Sequence, residues 1–193
     1  MPISFIIIVI LYLYLFMNKN KKLFNLNRFS LFIILTMLLL GYFYSPVNIM
    51  NYFSVNTVFI FGILTLILIL LIKIKFNLLV IISGIITVTL YSVVSIKFSE
   101  AITFINYLPA FLLITFLSLL FIKNVLHGVS YILITYTFFE LYNLYYVKSN
   151  YINLFGLSYI NNLVLSVLIF CAFNFVYFLI YKIKTKKVEY EKV

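Results

Sequence analysis

The sequence predicts an all-α fold: one polytopic membrane bundle of about seven transmembrane helices, N-terminus outside and C-terminus cytoplasmic. Three observations lead there. Hydrophobic residues make up 66% of the 193-residue chain and charged residues 9%, where a soluble domain carries roughly 25% charge. The apolar residues form seven continuous runs, and the mean hydropathy is +1.21. The basic residues gather in every second connector between those runs. A surface so poor in charge suits lipid as the surrounding solvent, where helices are favoured because each satisfies its own backbone groups. Continuous runs without period-two alternation exclude a β-barrel.

A helix needs about 20 apolar residues, with about 17 as a floor, to cross a hydrocarbon core about 30 Å thick. The runs at 2–17 and 29–44 fall just short, so they must recruit flanking residues or sit in locally thinned lipid. Those at 55–72, 78–96, 103–122, 129–147 and 163–181 reach the length unaided. Pro46 stops the second run, because proline cannot continue a helix. The first run has no basic region before it and no small-x-small cleavage site, so it reads as an uncleaved helix rather than a secretory signal.

The domain plan is therefore a bundle over 1–181 followed by a basic tail at 182–193. The connectors at 18–28, 73–77 and 123–128 together with the tail hold twelve of the 14 Lys and Arg residues. Those at 45–54, 97–102 and 148–162 hold the other two. The positive-inside rule places the first group in the cytoplasm. A net charge of +10 in a soluble protein would suggest nucleic acid as a partner. Here the charge sits at the ends of apolar runs, so anionic lipid headgroups are the expected partner and nucleic acid is not. Each tail lysine contributes about 1 kcal/mol beside such headgroups.

Glu140 is the one ionisable side chain deep within a run, about 10 Å from the outer end of the sixth span at 1.5 Å per residue. A carboxyl at that depth is costly unless it faces the bundle interior. Tyr136 at i−4 and Asn143 at i+3 share its side of the helix. The fourth span carries a polar stripe, Ser83, Thr87, Tyr91 and Ser95. Thr87 and Tyr91 bracket Glu140 in depth and are its expected hydrogen-bond partners. Two readings follow: a proton- or cation-coupling site, or a hydrogen-bonded glutamate that locks helices together.

Other residues invite plainer readings. His127 is thirteen residues from Glu140, about 20 Å along a helix, and reads as a surface histidine. Asn174, in the middle of the last span, reads as a link between helices. Cys171 stands alone, which rules out an intramolecular disulfide or a thiolate metal site. The five glycines include no G-x-x-x-G pair, so large side chains should hold most helices about 8–10 Å or more apart. There is no G-x-x-x-x-G-K-[ST], no H-E-x-x-H and no second histidine. No catalytic residue, cofactor or metal is expected.

The short first run followed by FMNKNKK at 16–22, and the glutamate-bearing FFELYNLYY at 138–146, give a layout that resembles the small YphA-like membrane proteins of low-GC Gram-positive bacteria. That resemblance implies a polytopic fold of the cell membrane and carries no mechanism. The functional expectation is a non-enzymatic integral membrane protein that supports or regulates a membrane process through membrane-protein partners. The alternative is a small proton- or cation-coupled transporter or channel using Glu140, which should open a polar cavity from one face to that carboxyl.

Overall fold

A computed structural model of the chain describes residues 2–17, 28–49, 53–73, 75, 77–97, 110–146 and 152–190. Its helices are α1 (Ile3–Met17), α2 (Arg28–Phe43), α3 (Thr57–Lys73), α4 (Leu78–Lys97), α5 (Ala110–Ser118), α6 (Val125–Tyr146) and α7 (Leu157–Tyr190). A single 3-10 turn, Leu119–Phe121, extends α5. Residues 103–109 of the expected fifth span, Pro109 among them, fall outside the described residues. So does the connector 18–27. Among the described residues one helix, Leu157–Ile183, is long and apolar enough to cross a membrane. Ile3–Tyr14, Leu31–Phe43, Thr57–Lys73 and Leu78–Val93 are shorter apolar helices.

The all-α expectation needs one addition. Three short strands, β1 (Val47–Ile49), β2 (Phe53–Val55) and β3 (Ile152–Leu154), form a sheet in the order β1-β2-β3. β1 and β2 pair antiparallel with Val47 opposite Val55, and β3 runs parallel to β2 with Phe53 opposite Ile152. Each strand reads apolar, polar, apolar: VNI, FSV and INL. That is the period-two pattern of a strand, but three residues are too few to stand out in a sequence. The sheet joins the connector after α2 to the connector after α6. Both therefore lie at one end of the bundle, with the C-terminal ends of α2 and α6 and the N-terminal ends of α3 and α7.

One side chain secures the turn from α2 to α3. Buried Asn56 accepts the Phe59 backbone N–H at 3.1 Å through Oδ1, and its Nδ2 donates to the Gly41 carbonyl at 2.8 Å. It thus caps the first turn of α3 and satisfies a carbonyl near the end of α2, two groups that helices cannot bond internally. Asn77 caps α4 in the same way, accepting the Leu79 N–H at 3.0 Å.

The core gathers around α6, which touches α3, α4, α5 and α7. Every residue from 128 to 136 is buried, so no face of this stretch is left for solvent or lipid. A second set of contacts, α1 to α2, α2 to α3, α3 to α6, α6 to α7 and α7 to α1, closes a ring of five helices. At three glycines, side chains of a neighbouring helix occupy the space a Cβ would take. A Cβ on Gly128 would fall inside the Phe170 ring of α7, and one on Gly41 inside the Phe59 ring of α3. The Thr135 hydroxyl of α6 lies 3.0 Å from where a Gly84 Cβ would sit.

α7 is the exception in length. Its 34 residues extend about 51 Å at 1.5 Å per residue. The expected span 163–181 lies inside it, and the helix runs on to Tyr190, through most of the basic tail.

Candidate functional site

The elements around Glu140 follow from its position on α6. Successive residues of an α-helix turn by about 100°, so four-residue neighbours share a face and adjacent residues do not. Tyr136 and Glu140 face the start of α7. Tyr131, Thr135 and Phe139 face α4.

On the α7 side, the backbone N–H of Phe155 donates to the half-buried Glu140 carboxyl. Phe155 opens the turn between β3 and α7 with φ 52°, in the left-handed region that a bulky residue rarely adopts. Its ring is buried and meets Tyr159 edge-to-face at 5.0 Å. Tyr159 in turn stacks edge-to-face on Tyr136 at 5.9 Å and reaches the Thr137 hydroxyl at 3.5 Å. Tyr136 shares a 2.9 Å hydrogen bond with buried Ser166 and donates to the Asn162 carbonyl at 3.4 Å. The carboxyl thus holds a strained turn against the end of α6, inside a layer of hydroxyls.

The expected partners sit elsewhere. Thr87 shares a 2.7 Å hydrogen bond with Tyr131, and Tyr91 packs edge-to-face on Phe139 with centroids 5.0 Å apart. Both meet α6, but on its α4 face. Depth alone put them beside Glu140; the rotation from Phe139 to Glu140 takes them away from it. Asn143 lies in α6, with its side chain outside the described residues, as does that of Ser95. Sequence reasoning missed Phe155, Tyr159 and Ser166. The signal available was the spacing of Tyr159, Asn162 and Ser166, three and four apart on one side of α7.

His127 is half-buried rather than on the surface, and its Nδ1 has no hydrogen-bond partner among the described residues. Asn174 does link helices: its Nδ2 donates to the Ile122 carbonyl just beyond α5. Cys171 is a free, half-buried thiol. Among the described residues no group of His, Cys, Asp and Glu is arranged to hold a metal ion.

A second polar cluster ties the N-terminal ends of α1 and α7 to the end of α2. The Ser4 hydroxyl bonds both the Tyr42 hydroxyl and the Asn161 Oδ1, which also accepts the Ser4 backbone N–H at 3.3 Å. Beside it is a cavity of about 310 Å³ lined by Pro2, Ser4, Asn161 and Asn162 among others. A wholly apolar cavity of about 140 Å³ lies within the five-helix ring, bordered by residues such as Ile8, Leu35, Leu66, Leu133 and Val167. A third, smaller one lies between α4, α5 and α6. Glu140 lines none of these three.

As chemistry, the arrangement offers a carboxyl acceptor and several hydroxyls, and among the described residues it sets no nucleophile and base side by side. No protein-family model, curated protein or solved structure matches the chain.

Proposed function

We propose that the chain is a multi-pass protein of the cell membrane that performs no reaction itself and supports a membrane process by binding other membrane proteins through α7. The observation that carries this reading is the second half of α7. Phe173, Phe175, Val176, Phe178 and Ile180 are between 49% and 62% exposed, and they are distributed all around the helix axis rather than along one stripe. An apolar helix with every face uncovered by its own chain calls for lipid or another protein around it.

The multi-pass placement draws on further support. α4 and α6, at 20 and 22 residues, are about 30 Å long, which matches a hydrocarbon core. α1, α2 and α3 have 15, 16 and 17 residues and fit a membrane thinned around the bundle. The twelve-to-two division of basic residues puts the sheet end outside. The resemblance to YphA-like proteins belongs to the same proposal.

Photo-crosslinking residues placed at Phe175 and Phe178 in intact cells test the role. They should give discrete protein adducts, while the same residues at Leu68 and Leu90, exposed on α3 and α4, should give lipid adducts only. Equal patterns at all four positions would overturn the partner reading. Impermeant thiol labelling of cysteines placed at Asn51 and Lys187 tests the topology. Labelling at Lys187 but not at Asn51 would reverse it.

A second reading, a proton- or cation-coupled transporter, is favoured by the carboxyl at membrane depth. Glu140→Gln separates the two. Glutamine keeps a carbonyl acceptor for the Phe155 N–H but cannot titrate, so retained function supports the structural role, and lost function with intact folding supports coupling.

A further inference from the structure

Hydrogen bonds and ring contacts fix how far along α7 each neighbouring helix reaches. Ser4 of α1 bonds Asn161 of α7, and Leu11 and Leu168 border one cavity, so the two helices run in the same direction. Met17, thirteen residues after Ser4, therefore stands level with Asn174, thirteen after Asn161. The Asn56 N–H, just before α3, donates to the Leu154 carbonyl at 3.3 Å, which brings Lys73 at the end of α3 level with Cys171. From the opposite direction, Gly128 of α6 meets Phe170, so Val125 opens that helix level with Phe173. Asn174 itself donates to the carbonyl of Ile122, just beyond α5. Thus α1, α3, α5 and α6 all end or begin within about one turn of Asn174.

That level is also where the bundle carries cations. Lys73 closes α3, Lys123 follows Ile122 and Arg28 opens α2, and such residues mark the cytoplasmic headgroup plane. α7 does not stop there. Residues 175–183 are all exposed, and they carry the helix about 13 Å further at 1.5 Å per residue. A helix longer than its bilayer can tilt to stay in lipid. Here the contacts of Ser166, Phe170 and Asn174 tie α7 to α6 and to the end of α5. The apolar stretch with Phe175, Tyr177 and Phe178 therefore projects from the cytoplasmic end of the bundle.

The charge that follows this stretch selects its cover. The tail 182–193 holds five lysines and two glutamates. A second copy inserted the same way would set basic tail against basic tail, and like charges facing across an interface oppose binding. An apolar groove with carboxylates at its rim suits both the rings and the tail, since a helix can lay apolar anchors into a groove and leave its charges at the edge. We propose that residues 175–180 dock in an apolar groove on the cytoplasmic side of a partner protein, whose acidic rim complements the basic tail. The inference rests on the α7 partner reading above and names the surface that the partner brings.

The chain contains no tryptophan, so a single introduced one reports its own surroundings. In lipid nanodiscs, Phe178→Trp should be quenched by iodide in the buffer and Leu168→Trp by brominated acyl chains. Equal quenching of both variants by the brominated lipid would leave the segment in the bilayer and overturn the projection. A photo-crosslinker at Phe178 in intact cells should give a protein adduct; one of twice the chain's mass would make the partner a second copy and overturn the acidic groove. In isolated membranes, crosslinking should fall several-fold as salt rises from about 0.1 M to about 1 M, which shortens the screening length from about 10 Å to about 3 Å. Lys184→Gln combined with Lys186→Gln should weaken it at low salt, with lipid adducts at Leu68 unchanged. Crosslinking indifferent to salt and to these substitutions would overturn the acidic rim. Lipid adducts at Phe178 matching those at Leu68 would sink the α7 partner reading itself, whereas protein adducts with Phe178→Trp quenched from within the bilayer would sink only the projecting dock.

Discussion

The middle of α6 and the second half of α7 are both apolar on every side of the helix, and neither has an amphipathic stripe, yet their surroundings are opposite. Residues 128–136 of α6 are all buried, while 175–183 of α7 are all exposed. A helix that is hydrophobic all round belongs either in a protein core or in lipid, and hydropathy does not say which. Side-chain size and hydrogen-bonding capacity do. The α6 stretch includes Gly128, Ser130 and Thr135, small enough to admit neighbours on four sides, and Tyr131 and Tyr136, whose hydroxyls find partners on α4 and α7. The exposed part of α7 carries Phe173, Phe175 and Phe178, which would need small residues opposite them to come so close.

The harshest way to break this comparison is to add bulk to each helix. Gly128→Leu should be the most damaging single change, because the new side chain meets the Phe170 ring; overpacking costs about 1–3 kcal/mol and sometimes more. Ala172→Leu on exposed α7 should change stability by less than about 0.5 kcal/mol. Thermal melting in detergent reads both. Phe170→Leu should recover part of the Gly128→Leu loss, and equal melting of the two leucine variants would refute the contrast.

Next in size is the polar end of α6. Glu140→Ala leaves the Phe155 N–H without an acceptor on a strained turn, at a cost of about 1–3 kcal/mol. Glu140→Gln should lose less than half of that in the same melting experiment. Finding alanine as stable as the parent would remove Glu140 from the structural account.

Two smaller effects sharpen the picture. Tyr136→Phe deletes the bond to Ser166 and should lower stability by about 0.6 kcal/mol, the average for hydrogen bonds between membrane helices. Tyr177→Phe on exposed α7 should be silent, and a loss as large as that of Tyr136→Phe would mean that this part of α7 is packed after all. Phe178→Ala should likewise leave melting within about 0.5 kcal/mol of the parent. The same variant should still reduce crosslinking from Phe175 in cells, since contact with a partner is not a contribution to folding.

The residues of the site divide along the same line. The pairing of Tyr136 with Glu140 was legible because four-residue spacing fixes a shared face whatever surrounds the helix. The assignment of Thr87 and Tyr91 to Glu140 failed because depth gives position along the helix axis and leaves the direction around it open. Phe139 and Glu140 are neighbours in sequence and face different helices. His127 was misplaced for a related reason: proximity to a helix end does not imply exposure when a neighbouring helix continues past it.

By itself the sequence determined the apolar runs, the helices they form, the alternation of charged connectors and the isolation of one carboxyl among them. Those properties are set by composition and by spacing along a single chain. Only the tertiary structure decided that connectors about one hundred residues apart pair as β2 and β3, that α6 is the axis of the bundle, and that α7 runs beyond it. Each of these depends on which faces meet across the fold, and three-residue strands or a uniformly apolar helix carry no periodic mark of the face they will present. The Phe155 turn shows the limit most clearly: its left-handed backbone is held by a carboxyl fifteen residues away, a contact that exists only once α6 and α7 have packed.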